Sequence, residues 1–130
     1  MSSPSLERAA RRSLLADTGY CAVSGAAFVG LGGRVGRALE VPRALVRGAG
    51  VATLVWSVAL VWMAKATAWR PWVAVVATAN AIAAALLVAT ALTRPSRKVG
   101  AGLGLAACEV GGFALFQALV LRRDRARRAS

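Results

Sequence analysis

From Pro71 to Thr93 the chain runs twenty-three residues without one ionisable side chain. An α-helix rises about 1.5 Å per residue and a bilayer's hydrocarbon core is about 30 Å thick, so roughly 20 apolar residues suffice to cross it. Three other stretches have the same length and character, which predicts four spans at about 13–33, 44–64, 71–93 and 99–121. Asp17 is the only charge in the first, Arg47 enters the first turn of the second, and Glu109 is the only charge in the fourth. Pro71 stands where a helix tolerates proline, in its first turn. Membrane β-strands would show short alternating segments, whereas these runs are continuous and rich in Ala, Leu and Val. The expected fold is therefore all-α: one membrane domain over 1–130, four transmembrane helices in an antiparallel bundle, with basic tails at 1–12 and 122–130. Arg8, Arg11 and Arg12 before the first run also suit a signal peptide, but that run lasts to Gly33, longer than a signal core.

Seventeen Lys and Arg stand against five Asp and Glu, a formal charge of +12, and they gather at the chain ends and in the breaks between spans. Four spans put both termini on one side, where ten of the basic residues fall against seven on the other. The positive-inside rule makes that side the cytoplasm, although so small an excess also suits insertion in both orientations. Arg122, Arg123, Arg125, Arg127 and Arg128 follow directly on a span, so they read as a topology determinant lying on anionic headgroups and not as a nucleic-acid surface.

Spans associate through close backbone approach, for which small residues four apart are the usual sign. Ala22-Ala26-Gly30, Ala77-Ala81-Ala85 and Gly104-Cys108-Gly112 are the stripes of this kind, so they are the expected packing faces. Trp62, Trp69 and Trp72 surround the second connection as expected interfacial anchors, while Trp56 falls near the middle of its helix. The break from Arg34 to Arg43 is expected to form a short interfacial turn before Pro42 starts the next helix. Its glycines lack the strand context of a phosphate-binding loop.

Glu109 carries most of the chemical interest, because a charge at mid-span is costly and ordinarily faces the bundle interior. Counted by depth, Glu109, Asn80, Ser57, Thr53 and Ser24 fall in one midplane layer. Asp17, Tyr20, Trp62 and Gln117 fall in a second, nearer the cytoplasm. Candidate binding residues are thus Glu109, Asn80, Ser24, Thr53, Trp56, Tyr20 and Gln117, and candidate general acids are Glu109 and Asp17. The structural alternative for each amide is a hydrogen bond across the bundle. The chain has no histidine and two cysteines. Cys21 and Cys108 differ too much in depth for a disulfide and read as small buried side chains. No metal site or cofactor is expected, and no Ser-His-Asp or Cys-His triad can form.

Leu15-Ala16-Asp17 opening the first span, Gly30-Leu31-Gly32 closing it, Arg47-Gly48-Ala49-Gly50 opening the second, Asn80, Gln117 and Leu121-Arg122-Arg123 together carry a resemblance. Across its whole length the chain resembles a largely uncharacterised family of small four-span, actinobacterial-like integral membrane proteins. The resemblance implies the architecture and a bacterial inner membrane, and carries over no catalytic residue. Small multidrug-resistance transporters are similar in length and also use a membrane glutamate, but in the first span. The functional expectation is binding or translocation of a cation, a proton or a lipophilic solute through a midplane polar site around Glu109. The alternatives are a membrane-embedded isomerase or cyclase of lipid or secondary metabolism, using Glu109 or Asp17 as general acid, and a non-catalytic membrane subunit. Expected partners are anionic lipid headgroups, a lipophilic small molecule and further copies of the chain.

Overall fold

The computed structural model describes residues 4–94 and 96–129, and among them every long element is an α-helix. The order is α1 (Pro4–Leu39), α2 (Arg43–Lys65), α3 (Trp69–Thr93) and α4 (Arg97–Ala129). All four are long and apolar enough to cross a membrane, so the all-α expectation holds. Both outer helices outrun their spans: α1 begins at Pro4 and α4 continues to Ala129, so the described parts of the two tails are helical extensions of the spans. Glu7 in the first turn of α1 and Arg37 in its last complement the helix dipole. Arg11 binds Glu7 at 2.8 Å, one turn away.

Contacts divide the chain into two compact units, Leu14–Lys65 and a second comprising Met1–Ser13 with Ala66–Ser130. In the first, α1 and α2 approach at a pair of glycines. A Cβ on Gly25 would lie 2.9 Å from the Gly50 carbonyl oxygen, and one on Gly50 would lie 2.8 Å from that of Gly25. The α1–α2 turn is a Schellman motif: Val41 N–H donates to the Gly36 carbonyl at 2.9 Å and Glu40 N–H to that of Arg37 at 3.3 Å. Glu40 occupies the left-handed position at φ 55°, where glycine is usual. Leu45 and Val46 then donate to the Pro42 carbonyl, which starts α2 as the sequence suggested.

In the second unit α3 and α4 pack as an antiparallel pair. Arg70 meets Asp124 at one end, Gly111 comes against Ala84 midway, and Gly100 approaches the Ala91 carbonyl at the other. Ser96 caps α4, its hydroxyl accepting from Val99 N–H. Buried residues on α3 run from Trp69 to Asn80 and on α4 from Ala107 to Asp124. Nearer the 94–96 connection the pair shows its flanks, with Leu86 and Leu92 exposed, as lipid-facing leucines should be.

None of the three expected packing stripes is the buried line of its helix: on α3, Ala81 and Ala85 are exposed, and the buried line is Trp69, Val73, Val76 and Asn80. Ala26 and Gly30 are exposed, and a Cβ on Gly30 would meet nothing within 4 Å. The buried line on α1 is the adjacent one, Asp17, Cys21, Gly25, Gly32 and Gly36. On α4, Cys108 and Gly112 are exposed, and the buried line is Ala107, Ala114, Gln117, Val120 and Asp124. In a chain so rich in alanine and glycine every helical face carries small residues, so their spacing does not single out the face that packs. Trp69 is buried and is not an exposed anchor, whereas Trp62 is largely exposed.

Candidate functional site

The α4 stripe that packs repeats at intervals of three, four and seven, the usual mark of one helix face. Glu109 lies two residues from Ala107, about 200° around the axis at about 100° per residue. The side chain is exposed, as are Leu105 and Phe116 on the same flank. This corrects the expectation that Glu109 faces the interior: the register that seats Ala107 and Ala114 turns Glu109 outward. It makes no ion pair or hydrogen bond among the described residues. A carboxyl group at mid-span therefore stands on the outer surface of its helix, flanked by apolar side chains.

The amides are placed differently. Asn80 on α3 and Gln117 on α4 are both buried, and Gln117 is 0% exposed. With Arg70 opposite Asp124 and Ala84 opposite Gly111, Gln117 falls about level with Ala77, roughly 4–5 Å along the axis from Asn80. Neither Nε2 nor Oε1 of Gln117 has a hydrogen-bond partner among the described residues. An orphaned buried amide costs about 1–3 kcal/mol, so such a group calls for a reason. The α3–α4 pair thus takes in the two amides and leaves Glu109 outside, and the expected layer does not gather around the carboxylate.

In the unit of α1 and α2, Asp17 is buried and accepts a hydrogen bond from Cys21 Sγ at 3.6 Å, one turn on. Cys21 is buried as expected, but Cys108 is exposed. Tyr20, Ser24 and Trp56 are half-buried. The Thr53 hydroxyl donates to the Ala49 carbonyl at 2.8 Å, and that of Ser57, which is buried, donates to the Leu54 carbonyl at 2.7 Å. Both bonds lie within α2, which gives these hydroxyls a local structural role.

The sequence reading missed an ion-pair cluster at Asp124. Its carboxylate accepts from Arg70 Nε at 2.7 Å and from Arg70 Nη2 at 3.3 Å, and Arg128 Nε lies 3.2 Å away. The Asp124 side chain is 4% exposed against 34% for Arg70. One acid inside a run of arginines was the available signal, hidden by treating 122–130 as a tail beyond the fold. No group of three or more His, Cys, Asp or Glu comes together among the described residues.

Fold and span composition together define a multi-pass membrane protein built of four helices. No family model, curated protein or solved structure matches the chain.

Proposed function

We propose that this is a bacterial inner-membrane protein, both termini in the cytoplasm, that binds and exchanges a proton or a cation at Glu109. The reading rests on one observation: a mid-span carboxyl group on the exposed face of α4 with no partner among the described residues. An isolated carboxylate facing hydrocarbon is strongly disfavoured, so the group takes up a proton or meets a compensating charge. A second copy of the chain seated on the Leu105–Glu109–Phe116 flank would complete the site. Exposure favours exchange over general-acid catalysis at this residue, since a general acid for a lipophilic substrate works in a closed pocket.

The test is labelling by a hydrophobic carbodiimide, which adds to a protonated carboxyl group within the bilayer. In liposomes Glu109 should gain the reagent's mass, and Glu109→Gln should abolish it. Added sodium or potassium ions should slow the reaction if the occupant is a cation. An unlabelled Glu109 from acidic to alkaline pH would overturn the proposal.

A further inference from the structure

Along one flank of the α3–α4 pair lie two adjoining hollows of about 590 and 520 Å³ that share Ala77, Thr78 and Ala118 and so form one furrow. Its floor is alanine, with Ala77, Ala81 and Ala85 on α3 and Ala114 and Ala118 on α4. The Thr78 hydroxyl on its wall already donates to the Ala74 carbonyl at 3.0 Å, so the wall offers no free donor. At the end nearest the α4 C-terminus, just past Leu121, the lining changes to Arg122 and Arg125.

From Ala74 to Ala85 the furrow extends about 16 Å at the helical rise, close to half of a hydrocarbon core about 30 Å thick. One leaflet's acyl chain has that length, and the two arginines stand where its headgroup would be. Both are exposed and neither carries an ion pair or hydrogen bond among the described residues. The one acid between them, Asp124, is turned inward and held by Arg70 and Arg128, so it does not compete for them. Arginine is the side chain best shaped to take a phosphate through paired N–H donors.

We propose that the furrow is a binding site for an anionic phospholipid, one acyl chain lying over the alanines and the headgroup phosphate held by Arg122 and Arg125. A helix from a second copy would also fit an alanine floor, but charge argues against it. Arginine or lysine marks both ends of each span, so either orientation would set a basic side chain against Arg122 and Arg125.

Native mass spectrometry of the full chain released from micelles tests this, with phosphatidylglycerol and phosphatidylcholine of matched chains as probes. Both lipids carry the phosphate, but the choline cation of phosphatidylcholine offsets its charge and would stand beside two arginines, so phosphatidylglycerol should be retained over phosphatidylcholine by roughly tenfold. Arg122→Gln with Arg125→Gln should erase the preference, while Arg12→Gln with Arg123→Gln, an equal loss of charge off the furrow, should keep it. Ala81→Phe, which fills the floor, should lower retention with both arginines intact, and Ala118→Leu checks the same point from α4. Equal losses in the two arginine pairs would reduce the effect to diffuse electrostatics and overturn the site. Unchanged retention in both furrow-filling variants, or their conversion of a dimer to a monomer without change in lipid retention, would overturn it as well.

Discussion

Gly25 and Gly50 set how closely α1 and α2 approach, and replacing either by alanine should separate the helices. A methyl group at 25 would lie 2.9 Å from both the Gly50 carbonyl oxygen and Leu54 Cγ. One at 50 would lie 2.8 Å from the Gly25 carbonyl oxygen and 2.9 Å from Phe28 Cβ and Val29 N. Comfortable carbon contacts fall at about 3.5–4.0 Å. Most of the crowded neighbours are backbone atoms, so the helices must part by roughly half an ångström to one ångström. Overpacking of this kind costs about 1–3 kcal/mol, set against about 0.5–1 kcal/mol that alanine gains over glycine in a helix. The net expectation is a loss of about 1–2 kcal/mol for each single variant, read by reversible unfolding in mixed micelles. The double variant should cost less than the two singles together, because one separation relieves both contacts, with a coupling of about 0.5 kcal/mol or more. Gly19 and Gly30, on the same helix, would each meet nothing within 4 Å, so Gly19→Ala and Gly30→Ala should stabilise. If Gly25→Ala and Gly50→Ala behaved like Gly30→Ala, or if their effects simply added, the close approach would be refuted.

Glu40→Gly should stabilise the protein by about 1 kcal/mol in the same assay, because glycine holds the left-handed cap of α1 without the strain an L side chain carries there. Asp124→Asn should destabilise by about 1–3 kcal/mol, less than a fully buried pair would lose because Arg70 is partly exposed. Restoring stability by Arg70→Gln in that background would show the pair to be the cause. Gln117→Met should stabilise by about 1–2 kcal/mol if the buried amide is as unpartnered as it stands, and a loss of stability would mean it holds a water or a neighbour.

Span number and the all-α class were legible in the sequence because both depend only on length and on the spacing of charges. Pro42 and the run from Pro71 also placed two helix starts to within about two residues. Rotation was not legible. The side of α4 that packs is set by a register of small residues against α3, and Ala107 and Cys108, adjacent and similar in size, lie on opposite sides of the outcome. That one step decides that Gln117 is buried and Glu109 is not, so depth arithmetic found the height of each polar residue but not its direction. Asp124 went unread for another reason: hydropathy ends a span at its first arginine, while α4 continues past Arg122 and still packs on α3, where Asp124 meets Arg70.

The most direct test of the account is an infrared titration in lipid bilayers that follows the carboxyl bands of the wild-type protein against Glu109→Gln. A protonated-carboxyl band, absent in the variant, is expected, and it should move when a bound cation replaces the proton. Identical spectra for the two proteins at every pH would contradict it and leave Glu109 without a part in binding.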